Sequence, residues 1–183
     1  DMINLKHVLR VGLVGEENQA VQAIEQQMTT IINDVRHICT DLRPPVLDML
    51  GLAAAIEALS EQVGKASGLV IETAVIHHNP TAAANLPEAI SIGLYRIFQE
   101  ALANVRRHAQ ATHVQTTLAF ATDSVTLTIH DNGVGLAEPV DMSLLLHEGH
   151  YGLAGMQERV QLLGGELVVV SEGGARITAV VPT

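Results

Sequence analysis

The sequence predicts an α+β protein: a two-layer α/β sandwich, with helices on one face of a mostly antiparallel sheet, preceded by dimerising helices. Three patterns carry that prediction. Val21, Ile24, Met28, Ile31, Val35, Ile38 and Leu42 are spaced alternately three and four residues apart, a heptad seam that needs a partner helix. Val125, Leu127 and Ile129 alternate with Thr126, Thr128 and His130, the period of a half-buried strand, and His113 to Phe120 forms a companion strand across a polar turn holding Asp123. Ile90, Leu94, Ile97, Ala101 and Val105 define the apolar sector of a helix. Behind the seam the elements therefore run strand, helix, two strands, helix, two strands, which is an open sheet with helices laid on one side.

From the amino terminus, Met2 to Leu13 is apolar at helical spacing and Gly15-Glu-Glu-Asn18 breaks it. The seam from Ala20 onward then reads as two helices per chain pairing into a four-helix bundle in a homodimer. Pro44 disfavours a helical Arg43 and Pro45 reinforces the break, so residues 1–46 are the helical module and 47–183 the sandwich. Gly51 to Lys65 is an amphipathic helix through Leu52, Ile56, Leu59 and Val63, and Leu69 to Ile76 is the first strand. His77-His78 has no acidic or thiolate pair beside it and reads as polar loop rather than a metal site. Asn85 is the cap of the next helix, with Pro87 in its first turn. Leu136 to Glu148, holding Pro139, reads as a lid that orders around a ligand, or, through Leu144-Leu-Leu146, as a small buried helix. Leu153, Met156, Val160 and Leu163 form a helical stripe stopped by Gly164-Gly165. Glu166 to Val170 and Arg176 to Val181 close the chain as a hairpin across Glu172-Gly-Gly174.

Composition bounds the function. Of 183 residues, 48% are hydrophobic and only 2% aromatic, so the core is built from Ala, Val, Ile and Leu. A net charge of −10 with no basic run excludes a nucleic-acid surface, which needs clustered cations against phosphates. Cys39 is the single cysteine, which excludes an internal disulfide and fits a reducing, cytoplasmic setting. No apolar run reaches the ~18 residues of a membrane helix, so no membrane contact is expected from this stretch. The chain opens on Asp1 rather than Met, which leaves room for a sensory or membrane-anchoring segment upstream.

Two stretches carry chemistry. At ~100° per residue Glu100, Asn104 and Arg107 fall in one narrow sector beside the apolar face of their helix, which lines up a carboxylate, a carboxamide and a guanidinium. Downstream, a strand runs straight into Asp131-Asn-Gly-Val-Gly135, which sets a fixed carboxylate beside a chain that can take positive φ and approach a ligand closely. A hairpin turn would also use Asp-Asn-Gly, but the stretch after Gly135 reads as loop rather than as a returning strand. Together the two stretches read as a nucleotide site.

Gln99-Glu-Ala-Leu-Ala-Asn104-Val-Arg-Arg-His108, Asp131-Asn-Gly133-Val-Gly135, Gly149-His-Tyr-Gly152-Leu-Ala-Gly155 and Gly173-Gly174-Ala-Arg-Ile resemble, in order, the N box and the glycine boxes of bacterial two-component sensor histidine kinases. Asp41-Leu-Arg-Pro-Pro45 resembles the end of the dimerisation helices in the nitrate-sensor subclass. The resemblance implies the GHKL-type, or Bergerat, ATP-binding fold and a protein-histidine kinase. It implies ATP and Mg²⁺ as cofactors and a response-regulator receiver domain as partner.

Residue by residue, the resemblance implies that Asp131 meets the adenine amine, beside Gly133 and Gly135. Asn104 is the Mg²⁺ ligand. Arg107 and His108 meet phosphates, as do backbone groups of Gly149, Gly152 and Gly155, and Glu100 orients or deprotonates the nucleophile. Leu153 stands in the second glycine box and joins the binding set, although its stripe makes it and Met156 core. His147 and His150, three apart, suggest a metal site, but the resemblance places them beside that box.

Family members carry the phosphoacceptor in a His-Asp pair. His7 precedes Val8 and His37 lies late in the seam, so the acceptor is expected upstream of Asp1. Two further departures bear on affinity: the second glycine box has its extra glycine at Gly149, and Ala175 stands where the family has threonine. These keep two alternatives open, another ATPase or kinase of the same superfamily and a dimerisation module whose nucleotide site has decayed.

Overall fold

The computed structural model describes residues 45–78, 86–136 and 151–183. The heptad seam, His7, His37, Cys39, the Asn85 cap, the lid candidate, His147, Gly149 and His150 lie outside them. The chain divides into Asp1–Pro44 and Pro45–Thr183, and the second unit is the one described here.

Helix α1 spans Pro45–Ser67 and begins earlier than expected, at Pro45 rather than Gly51. Proline's fixed φ suits a first helical turn, and Gly51, at φ 80° and ψ 179°, kinks the helix instead of starting it. Strand β1, Val70–His77, follows. Helix α2 spans Glu88–Asn104 and runs on into a π-helical turn, Val105–Ala109. Pro87 sits at its N-cap, one place before the helix, and no side chain caps it. Then come β2, His113–Phe120, and β3, Ser124–Asp131. Helix α3, Tyr151–Leu162, precedes the hairpin of β4, Glu166–Ser171, and β5, Ala175–Pro182.

The five strands lie in the order β1-β2-β3-β5-β4. Only β1 with β2 is parallel, and α2 supplies the crossover that a parallel pair requires. All other pairs are antiparallel. Alternation along each strand sorts the sheet into two faces. Thr73, Thr116, Ile129, Ile177 and Val169 are register partners on the face that carries the buried residues, whereas Glu72, Gln115, His130, Arg176 and Val170 are partners on the other.

The core lies between the first of these faces and the helices. It is mainly aliphatic, as the composition requires, with Ile56 from α1, Leu94 and Ile97 from α2, Val160 from α3 and Leu118 and Leu127 from the sheet all fully buried beside Phe98. Gly93 lets Leu163, just past α3, pack against α2, because a Cβ there would overlap the Leu163 side chain. Where β1 meets α1 the core carries a polar seam: Ser60 Oγ donates to the Ile56 carbonyl at 2.9 Å and lies 3.0 Å from Thr73 Oγ1. His77 ends β1 with its ring stacked on Phe120, centroids 5.1 Å apart, so it belongs to the strand rather than to a polar loop.

Candidate functional site: one corner of the sheet and the end of α2

Asp131 is the last residue of β3 and is buried, 4% exposed. The strand's period points it to the helix-covered face, like Ile129 before it. Its Oδ1 accepts the Gly133 N–H at 2.8 Å and the Ala175 N–H at 3.4 Å. Both bonds use the same oxygen, and Oδ2 takes no hydrogen bond among the described residues.

The glycines around Asp131 are there for close approach. A Cβ on Gly133 would overlap the Ala109 carbonyl at the end of the π turn, and Val134 N donates to that same carbonyl at 2.8 Å. A Cβ on Gly174 would overlap the Asp131 carbonyl, and Gly174 also holds φ 132°. Gly135, at φ 72°, lies against Ser171 Oγ. In the sheet β3 pairs with β2 on one side and β5 on the other.

Glu100 and Asn104 lie on the last turns of α2, both half-buried. A Cβ on Gly152, in the first turn of α3, would overlap Glu100 Oε1 and stand 3.2 Å from Asn104 Nδ2. Glycine there lets the start of α3 sit directly on the carboxylate and the carboxamide. Gly155, one turn on, faces open space. Leu153 between them is buried in the core at 5% exposure, as its helical stripe implied.

The π turn changes the phasing implied by a regular helix. In an α-helix Arg107 and His108 would flank the direction of Asn104 about equally. A π turn bonds i to i+5 and takes more residues per revolution, which rotates Arg107 further from that sector than a regular helix would. Arg106, Arg107 and His108 are all exposed. The turn ends at Gln110, the one non-glycine residue with positive φ among those described, at 52°.

Two residues of this corner escaped the sequence reading. Asn132 Oδ1 accepts the Thr112 and His113 N–H groups, both at 2.9 Å, and its Nδ2 donates to Thr112 Oγ1 at 3.0 Å. It therefore ties the motif to the start of β2. On the other side Ser171 Oγ accepts the Leu136 N–H at 2.9 Å. The available signal was the break in alternation, since Ser171 follows Leu167 and Val169 on the inward face of β4. Among the described residues no three His, Cys, Asp or Glu side chains gather into a metal-binding group, and no helix is long and apolar enough to cross a membrane.

A helix-covered sheet with an aspartate at a strand end, hemmed by glycines and faced by a Glu/Asn helix, is the ground plan of a GHKL-type ATP-binding domain. The sequence profile described as histidine kinase-, DNA gyrase B- and HSP90-like ATPase matches residues 89–183, and the chain belongs to that family. Its relatives include the signal transduction histidine-protein kinase/phosphatase DegS of Brevibacillus brevis, 31% identical over 156 residues that make up 85% of this chain and 38% of DegS. They also include the nitrate/nitrite sensor protein NarQ of Escherichia coli, 30% identical over 88% of this chain and 28% of NarQ. The chain thus spans well under half the length of either relative. Among solved structures, the ATP-binding domain of PrrB from Mycobacterium tuberculosis shares the fold, with a TM-score of 0.54 at 23% identity over 70% of this chain and 90% of that one.

Proposed function

We propose that this chain is the catalytic ATP-binding region of a sensor histidine kinase, which binds Mg-ATP and delivers the γ-phosphoryl group to a histidine for relay to an aspartate of a response-regulator receiver domain. The observation that carries the reading is the divided carboxylate of Asp131. Oδ1 is held by two backbone N–H groups, and Oδ2, which takes no hydrogen bond among the described residues, would accept from the exocyclic amine of adenine. The aliphatic core behind it offers a floor for the ring, with Leu153 part of that floor rather than a polar contact.

At the other corner, Asn104 is the candidate Mg²⁺ ligand through its amide oxygen, a hard donor suited to a hard cation. Bound Mg²⁺ would supply charge neutralisation to the triphosphate. The residues fit such a group, because Gly152 lets the start of α3 lie directly on Glu100 and Asn104, and a helix start favours anions such as phosphate. Arg107 and His108, on the π turn that follows Asn104, meet the phosphates, with Gly149 and Gly155 contributing backbone. Glu100 orients the attacking imidazole or takes its proton. The imidazole nitrogen bonds to the γ-phosphorus as the bond to the bridging oxygen breaks and ADP departs, a step driven by positioning and charge. The heptad seam would supply the homodimer, in the cytoplasm.

One observation favours a second reading. Ala175 donates to Asp131 through its backbone and brings no hydroxyl, which suits a dimerisation module with a decayed site. Calorimetric titration with a non-hydrolysable ATP analogue, with and without Mg²⁺, separates the two. Wild-type protein should bind in a Mg²⁺-dependent way. Asp131→Asn keeps the Oδ1 acceptor but puts an amide N–H₂ against the adenine amine, so it should lose at least ~tenfold in affinity, about the worth of one charge-assisted bond, with its melting temperature little changed. Equal binding by the variant would remove the adenine assignment, and no binding by wild-type protein would favour the decayed site.

A further inference from the structure

We infer that Ser171 is a positioning residue for the nucleotide, holding the glycine turn that follows Asp131; the inference rests on the reading above. Ser171 is the last residue of β4 and the register partner of Ala175, the first residue of β5. Ala175 in turn reaches Asp131 Oδ1 with its N–H, at 3.4 Å. Asp131, Ala175 and Ser171 thus follow one another across three strand ends, and the segment 132–136 arches over them.

That arch is tied down at both ends. Asn132 holds its start to β2 by three hydrogen bonds. Its far end has a single described tie, the Leu136 N–H donating to Ser171 Oγ at 2.9 Å. The fit is close as well as polar, since a Cβ on Gly135 would overlap Ser171 Oγ, and Gly135 passes this point at φ 72°. On the inward face of β4 the sequence runs Leu167, Val169, Ser171, and a hydroxyl ends the apolar series where a backbone donor arrives from the arch. Remove the hydroxyl and the Leu136 N–H is part-buried with no acceptor, so the arch must shift to satisfy it. The backbone groups of Gly133 and Gly135 beside Asp131 would then lose their aim. Ser171 touches no ligand in this account and acts through the turn.

The test compares Ser171→Ala and Ser171→Thr with the wild-type chain by titration with the ATP analogue, at a temperature where all three are fully folded, together with hydrogen exchange at the Leu136 amide. Ser171→Ala should speed exchange at Leu136 and weaken binding roughly five- to tenfold, the equilibrium worth of one lost hydrogen bond. Ser171→Thr keeps an acceptor and should stay within about twofold of wild type. A Ser171→Ala protein that melts earlier but binds the analogue with unchanged affinity overturns the inference, leaving Ser171 a purely structural residue and the nucleotide reading intact. Failure of the threonine to rescue a weakened alanine variant also overturns it. A wild-type chain that does not bind the analogue removes the nucleotide reading and this inference together.

Discussion

The two corners of the site use glycine for different reasons. Around Asp131 the tightest glycines answer to the protein's own backbone, Gly133 lying against the Ala109 carbonyl and Gly174 against the Asp131 carbonyl, while Gly135 lies against the Ser171 hydroxyl. Where α2 meets α3 they answer to side chains or to nothing: Gly152 lies against the Glu100 carboxylate and the Asn104 amide, and Gly155 faces open space. The first corner is a fold-making device that happens to frame a carboxylate. The second is a place cleared for something else. A glycine motif read in a sequence merges these two demands, and only the neighbours of each missing Cβ separate them.

Substitutions can break that comparison. The largest effect belongs to Gly174→Ala, where a methyl group meets a backbone carbonyl that cannot swing aside and φ is 132°. Strain and overpacking together should cost about 3 kcal/mol, or a fall of roughly 6–12 °C in melting temperature. An unchanged melting temperature would show that the corner is looser than its geometry.

At the other corner, Gly152→Ala meets only side-chain ends, those of Glu100 and Asn104. Its stability should stay within about 1 kcal/mol of wild type, because alanine's helix propensity offsets the displacement. Nucleotide affinity should fall about tenfold, and the response to Mg²⁺ should weaken as Asn104 is pushed aside. Gly155→Ala fills open space on a helix and should raise stability by up to ~1 kcal/mol while still weakening ATP-analogue binding. If that variant bound the analogue as well as wild type, the cleared space would not be where the phosphates lie.

The smallest effect fixes the pH window for such measurements. Burial raises the Tyr95 hydroxyl above its ordinary value, with neighbouring Arg96 pulling the other way. The folded chain therefore holds this phenol neutral after the unfolded chain has begun to ionise it, near pH ~10. Its contribution to stability is fully present below that pH and is lost as pH rises through the folded value. Urea unfolding followed across that range should show a shallower alkaline loss in Tyr95→Phe than in wild type. Parallel profiles would mean that another group sets it.

Much of this was legible in the chain. Alternation placed β2 and β3 to within a residue, because a strand with one buried face writes its period directly into the sequence. The helical stripe of Leu153, Met156 and Val160 was legible for the same reason. Asp131 to Gly135 stood out because few other uses need a carboxylate and two glycines at a strand end. The π turn did not, since Val-Arg-Arg-His-Ala carries no local preference for it and the sequence implied regular helical phasing for Arg107. Asn132 and Ser171 escaped because their partners stand 19, 20 and 35 residues away, brought near only by strand register. The kink at Gly51 was read as a start because one glycine serves either purpose until φ is known.

The register of the sheet has one more consequence. Each of β2-β3 and β4-β5 is an antiparallel pair of sequence neighbours, closed by a short turn, whereas β3 and β5 meet across a long stretch of chain. Asp131 belongs to the first hairpin, and Ser171, Gly174 and Ala175 belong to the second or to its turn. Such a seam is late to zip and early to part, because long closures cost more entropy than short ones. The aspartate proposed to meet adenine thus sits on the sheet's most distant weld, where a bound nucleotide would act as a rivet across the two hairpins.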